Sequence, residues 1–416
     1  MKNFILLTSL VIANQLIAQT FNKVSYNSTN SGLPHNQIRS ISIDSNDIVW
    51  VGTQQGGLAR FDGENWSVWN SANSNLPGNN VRLVQSLANG DVWLSLITND
   101  NSFPYRISKL DEESLINWTG ITNGYDIVDA FDYFNNKVWI STLNGLYIYE
   151  NDTFSQFDPT NDCIPPTAVS DILFVTPDKY WIALSDYSVD ELDADGLLRI
   201  EQNNCIHYDN SNSGFPSDNV TLKLRKDKDN PEKVWMLTNA GIVSFDDANW
   251  EMFAAPGTSL PASYAIDSFG DIWAGYTFNG LQKYDGTWHS YQSLVSDEIN
   301  DLAIDSHNNI WVGTQNSGLI KLERVVTSIS GISSVESVKC YPTILGQELF
   351  LEQGQDRALS LLLMDINSKV IVRENFTGRK TTISLAGYRI PSGVYFYCIK
   401  NANNDIIQTG KLLKTE

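Results

Sequence analysis

Histidine, cysteine and methionine are scarce in this 416-residue chain, at four residues each. Basic side chains are few as well: 28 Lys and Arg face 48 Asp and Glu, leaving a net charge of −20. That balance excludes phosphate-backbone binding as a main role, and no nucleic-acid partner is expected. Four cysteines, none in a C-x-x-C spacing, exclude a disulfide-dense scaffold and the usual zinc and redox motifs. No window approaches the ~20 consecutive apolar residues of a transmembrane helix. Glycine patterns of the G-x-S-x-G, P-loop or dinucleotide-binding kind do not occur in a strand–helix context. What is plentiful is tryptophan, with 12 residues, in a chain that is 42% hydrophobic and able to bury a large core.

The N-terminus, residues 1–18, reads as a secretory signal peptide: Lys2, then the apolar stretch Phe4 to Ala13, then a short end at Leu16-Ile17-Ala18. Removing it leaves a mature protein expected to be soluble. In an oxidising compartment Cys163 pairs with Cys205 and Cys340 with Cys398 on the preferred reading, with free buried thiols as the alternative.

An internal repeat organises residues 19–325. Seven segments, IVWVGT, DVWLSL, KVWIST, KYWIAL, KVWMLT, DIWAGY and NIWVGT, centre on Trp50, Trp93, Trp139, Trp181, Trp235, Trp273 and Trp311. The spacings of 43, 46, 42, 54, 38 and 38 residues fit four strands per unit. Apolar residues run consecutively around each Trp, which predicts a strand buried on both faces. Two places after the Trp stand Gly52, Ser95, Ser141, Ala183, Leu237, Gly275 and Gly313, small in all but one unit, so something packs closely there. Further on, a Gly-Leu or Gly-Ile pair opens a third strand in five units, the exceptions being units two and four. Segments such as FDGENWSVW and YDGTWHSY supply a fourth, outer strand. Turns carrying Asp44 and Asp47, Asp267 and Asp271, and Asp305 precede the Trp strand and read as turn formers.

Seven such units predict an all-β, seven-bladed β-propeller. The last unit lacks an outer strand, and FNKVSYNSTNSGLP, from Phe21, parallels NWSVWNSANSNLP, from Asn65. The N-terminal strand is therefore expected to complete the last blade and remove the open edges. Each Trp would take ~150–250 Å² out of water, or ~4–6 kcal/mol gross before entropy, so the Trp set reads as structural core.

The unit W-[apolar]-G-T-x-x-G-L, preceded by GLP-x-N-x-[IV], resembles the two-component regulator propeller repeat over roughly residues 20 to 325. The resemblance implies an extracytoplasmic propeller; that family often provides the sensor of membrane-bound histidine kinases.

After a Ser-rich linker at 326–337, residues 338–416 carry short strand runs that predict a small β-sandwich. Residues 335–416 carry a net charge of +2, against −23 on 19–334. The segment resembles the type IX secretion C-terminal sorting domain. The resemblance rests on Tyr341-Pro342, Asp365 to Val370, Pro391-Ser392-Gly393-Val394-Tyr395, and Thr409-Gly410-Lys411-Leu412-Leu413-Lys414. It implies type IX export machinery as a partner, passage through the outer membrane, and a product that is released or attached to the cell surface.

No catalytic set emerges. His35, His207, His289 and His307 lack ligand spacing and read as solvated. Asp190, Asp193, Asp195 and Gly196 distantly resemble a calcium loop but read better as an acidic hairpin turn, so no metal and no cofactor is expected. The candidate ligand face is the set of loops following the Trp strands and joining the blades. There Phe103, Tyr105, Tyr187, Tyr276 and Phe278, with Gln54, Gln55, Gln315, Asn316, His35 and Asn36, offer aromatic and amide groups suited to sugars or peptides. The leading reading is a secreted or surface-attached, non-catalytic propeller binding a glycan, peptide or surface protein. The alternatives are a polysaccharide hydrolase or lyase, and a structural component of a surface assembly.

Overall fold

The computed structural model describes residues 21–415 except 100–103, 112–113, 120, 122–126, 158–167, 186–195, 203, 216–220, 228–229, 231, 239, 255–259, 296–297, 325–337, 343, 355, 366–368 and 402–405. The signal segment, the linker, Cys163, Phe103, Tyr187 and three of the acidic-turn aspartates lie outside the described residues.

The described part is all-β. Seven successive four-stranded antiparallel sheets occupy residues 38–69, 80–118, 128–156, 169–208, 221–253, 261–290 and 299–324, the last completed by Phe21–Tyr26. That N-terminal strand pairs along its whole length with Leu319–Arg324, Phe21 opposite Arg324 and Tyr26 opposite Leu319. The ring closes where the first inner strand packs on the seventh sheet, with Gly313 set against Ile38. This arrangement defines a propeller.

Each sheet has the same internal logic. The Trp strand is second from the inside and, in Val49–Thr53, Val234–Thr238, Ile272–Tyr276 and Ile310–Thr314, every residue is buried. All seven anchoring tryptophans are at most 8% exposed. The residue two places after Trp lies under the neighbouring sheet's inner strand: a Cβ on Gly275 would stand 2.4 Å from Ile299 Cγ2, and one on Gly313 2.6 Å from Ile38 Cγ2. No real side chain tolerates that approach, which is why these positions are glycine. In sheet four the Gly-Leu pair unseen in the repeat pattern is Gly196-Leu197, displaced by a longer loop; Gly196 opens the strand Gly196–Glu201.

The turn before the Trp strand is held by aspartate. Asp305 Oδ1 accepts the His307 and Asn309 amides at 3.0 and 2.9 Å, while Oδ2 accepts the Trp311 indole N–H at 2.9 Å. Asp267 does the same with Phe269, Asp271 and Trp273, and Asp44 with Asn46, Ile48 and Trp50. Sheet five makes the indole contact from Asp227 at 2.7 Å.

Residues 338–414 form two further sheets, Val338–Tyr341 with Glu348–Gln353 and Lys380–Ser384, and Val370–Phe376 with Leu359–Met364, Gly393–Asn401 and Ile406–Lys414. They share one apolar core, including Leu349, Leu351, Leu361, Leu363, Ile399 and Leu412. The Tyr341-Pro342 bond is cis. Asp365 Oδ1 accepts the Lys369 amide at 3.0 Å, and the Tyr395 hydroxyl donates to Pro391 O at 2.7 Å. Gly393 begins the longest strand pair, Gly410 lies against the Tyr397 ring with no room for a Cβ, and Lys411 is exposed.

This unit rests on the turn of sheet six. Phe269 packs with Leu362 and Cys398, Arg373 Nη2 donates to Ser268 O at 2.7 Å, and the Arg324 guanidinium lies 4.1 Å over the Phe269 ring. Cys340 and Cys398 are free rather than paired. Cys340 is on the three-stranded sheet, whereas Cys398 faces Phe269. Burial pushes their thiols up to about 12 and about 11, which keeps both protonated and unreactive at neutral pH.

Candidate functional site

The post-Trp loops and the inter-sheet connections lie at one end of the ring, because the start of each inner strand pairs with the end of its Trp strand: Ile38 faces Thr53 and Ile299 faces Thr314. The loops are stitched together there, Gln54 N donating to Gln37 O, Gly57 N to Asn79 O and Gly318 N to Asn36 O. Two cavities open at this end.

The first lies between sheets one and two. Its volume is ≈ 460 Å³, and Gln54, Gln55, Asn79, Asn80, Asn99 and Thr98 supply most of its polar lining. Among the described residues no charged side chain contributes to that lining. Asn79 is used by the fold, its Oδ1 accepting the Ser71 amide at 2.8 Å. Gln54 Oε1 and Asn80 Oδ1 are buried and accept no hydrogen bond. Two buried amide oxygens without donors carry a desolvation cost that a ligand's N–H or O–H groups would relieve.

The second cavity, ≈ 470 Å³, is the mouth of the central axis. Every inner strand carries a bulge at the same point, just after the residue paired with the position three places past the Trp. The extra residues are Arg39, Arg82, Asp129, Ser170, Leu222, Ala262 and Asn300, and all seven line the cavity. A bulge re-aims one side chain out of the two-face alternation, and here it turns one residue per sheet toward the axis.

Three of these residues clamp the next sheet. Asn300 Nδ2 donates to Ile38 O at 2.7 Å, the Arg82 guanidinium to Val128 O, and Ser170 Oγ to Thr221 O. Arg82 also pairs with Asp129 at 2.6 Å. Lys223 reaches across to Asp301 at 3.1 Å. Burial of Asp301 is outweighed by Lys223, the Ile41 amide and the Ser263 hydroxyl, which hold its carboxyl below the usual range. Burial pushes Asp129 up despite Arg82. Further along the inner strand of sheet three, burial and the charge of Asp171 push Asp132 up to about 7.

The residues expected to bind ligand separate in the structure. Gln54 and Gln55 join in the inter-sheet pocket. Tyr105 is half-buried at the start of the third strand of sheet two, and Phe278 is 78% exposed at a hairpin tip. Gln315 accepts the Asn300 amide at 2.9 Å, Asn316 is exposed beside it, and His35 Nδ1 accepts the Gln37 amide at 3.1 Å as a turn residue. Tyr276 does not face solvent: at 2% exposure it belongs to the core between sheets five and six. It stands three residues after Trp273, the position that Thr53, Thr142, Thr238 and Thr314 fill as buried residues elsewhere. His207, His289 and His307 each lie beside one aspartate, Asp209, Asp285 and Asp47. Among the described residues no group of three metal-ligating side chains converges.

The residues that sequence reasoning missed are Asn80 and the axial set. A signal was there: Arg39, Arg82, Ser170, Ala262 and Asn300 all stand eleven residues before their Trp.

Two stretches of the chain, residues 32–55 and 293–316, match the two-component regulator propeller family model. None of the curated proteins matches the sequence. Among solved structures the chain is similar to the extracellular domain of a hybrid two-component system from B. thetaiotaomicron, at 18% identity and TM-score 0.56, over 95% of this chain and 57% of that one. A second such domain from the same organism is similar at 14% identity and TM-score 0.52, over 95% and 59%. The chain therefore spans less than two thirds of the length of either. YCF48 bound to D1 peptide is similar at 12% identity and TM-score 0.51, over 73% of this chain and 97% of that one. These likenesses show the propeller fold.

Proposed function

We propose that the protein is an exported, non-catalytic binding module. Its ring is a seven-bladed β-propeller, and the C-terminal unit is a β-sandwich acting as a type IX sorting domain. The loop-bearing end takes an uncharged ligand rich in hydrogen-bond donors, a glycan or a peptide backbone, in the pocket between sheets one and two. The observation that carries this reading is a cavity of ≈ 460 Å³, a size in the range of small-ligand sites, whose described lining is uncharged and rich in amides, with Gln54 Oε1 and Asn80 Oδ1 buried in its wall without a hydrogen-bond partner among the described residues. The peptide-bound propeller and the extracellular domains described above support binding and an extracellular setting. A polysaccharide-cleaving reading would need a pair of uncommitted acids, and the axial carboxylates Asp129 and Asp301 are each held by a cation.

Screening the full chain on neutral glycans and short peptides tests the proposal. Retention of one class, weakened about tenfold or more in Gln54→Leu and Asn80→Leu, is the expected outcome. Unchanged binding in both variants, or none by the intact protein, would sink it. Mass spectrometry of culture medium and outer-membrane fractions tests the export part, with a product starting near Gln19 and ending before Val335 expected.

A further inference from the structure

Among the described residues five ionisable groups line the axial mouth: Arg39, Arg82, Lys223, Asp129 and Asp301. Two of the cations are committed, Arg82 to Asp129 and Lys223 to Asp301. The Arg39 guanidinium has no hydrogen-bond or ion-pair partner among the described residues. Its counterpart in sheet seven, Asn300, bridges to the Ile38 carbonyl and to Gln315. Arg39 occupies the same bulge and makes neither kind of contact, so the ring is not held together by it. Among the described residues the mouth carries one uncompensated positive charge, in a chain whose net charge is −20. Any partial protonation of Asp129, which burial favours, makes the mouth more positive.

A half-buried guanidinium without a counter-ion, in a concave site walled by low-dielectric strands, concentrates anions. The ligand it suits has one negative charge, since one is uncompensated; the planar fork of Arg39 matches a carboxylate in two-point geometry. The cavity volume of ≈ 470 Å³ leaves space for a monosaccharide or dipeptide body behind that group. Ser40, Ser170, Ser185 and Asn300, also in the lining, offer neutral partners for such a body.

We propose that the axial mouth is a second binding site, specific for a small monocarboxylate anchored by Arg39. This site is distinct from the pocket between sheets one and two and does not rest on it. An acidic sugar and the free C-terminus of a short peptide present the same carboxylate chemistry.

Isothermal titration of the full chain with galacturonate, with a neutral-capped dipeptide carrying a free C-terminus, and with galactose and the amidated dipeptide as uncharged controls, separates these sources. Binding of one carboxylate, absent for its uncharged counterpart and weakened by raised salt, is expected. Arg39→Gln should lower the affinity about ten- to a hundredfold while leaving the melting temperature in place, because Arg39 bonds to none of the described residues. Failure of both carboxylates to bind, equal binding of the uncharged controls, unchanged affinity in Arg39→Gln, or tighter binding of inorganic phosphate or sulfate would overturn the assignment.

Discussion

Sheets one, five, six and seven clamp their anchoring Trp to an aspartate, and sheets two and three do not. In the first group the indole N–H of Trp50, Trp235, Trp273 and Trp311 donates to Asp44, Asp227, Asp267 and Asp305. In the second, Trp93 and Trp139 carry a buried indole nitrogen with no partner. The position six residues before the Trp is Leu87 in sheet two and Tyr133 in sheet three. Yet in sheet two the backbone turn is the same: Leu87 N donates to Asp91 O and Gly90 N to Leu87 O, as Asp267 N does to Asp271 O and Gly270 N to Asp267 O; sheet three turns more tightly, through Asn135 and Asn136, both at positive φ. In sheet two the turn thus forms without the aspartate. The aspartate adds to it a link between turn and core that some sheets do without.

A reciprocal swap breaks that comparison most strongly. Asp267→Leu leaves the Phe269 and Asp271 amides, the Trp273 indole and the half-buried Arg324 guanidinium without their acceptor. A loss of ~3–5 kcal/mol is expected. Leu87→Asp gives Trp93 an acceptor but removes a leucine from its apolar cluster, and the two effects should cancel to within ~1.5 kcal/mol. Urea unfolding midpoints of both variants check this; equal losses would mean that the aspartate adds nothing beyond the turn.

Sheet three also holds an acid whose carboxyl is raised. Asp132 in sheet three is pushed up to about 7 by burial and by Asp171. A carboxyl whose folded value exceeds its unfolded one takes up a proton on folding between about pH 4 and 7, so stability falls as pH rises through that window and levels off above it. Asp132→Asn keeps an oxygen to accept the Tyr133 amide and removes the charge. It should flatten this slope and stabilise the protein by ~2–4 kcal/mol at pH 8, with little change at pH 4. Thermal melts across pH 4–8 decide it, and parallel curves for the two proteins would count against the assignment.

Much of the ring was legible because its signals are local and repeated: a Trp in a run of apolar residues, a small residue two places on, and an N-terminal segment duplicating a missing outer strand. The candidate site was less legible, for two physical reasons. Sharing a loop does not fix where a side chain points, so Tyr276, read as a surface aromatic, fills the buried position that threonine occupies in four other sheets. The bulges also break the two-residue alternation, so Arg39 and Asn300 turn toward the axis where strict alternation would not place them. Gln54 was legible as a loop amide; its partner Asn80 lies on a strand, where amide residues drew no attention.

The smallest expected effects sharpen the comparison at the position two residues after Trp. Gly313 and Gly275 admit no side chain without displacing Ile38 or Ile299, so Gly313→Ala should cost ~1–3 kcal/mol through overpacking at the ring closure. Ser95 and Ser141 occupy the same position in sheets two and three, where the Cβ is accommodated but each hydroxyl oxygen is buried without a partner. Replacing either serine with alanine removes that polar atom and keeps the Cβ that the neighbouring sheet already accepts. Ser95→Ala and Ser141→Ala should therefore leave stability unchanged or raise it by up to ~1 kcal/mol, measured as melting temperature. A loss in both would mean that the hydroxyls are satisfied in solution, and that sheets two and three are as fully bonded as the clamped sheets.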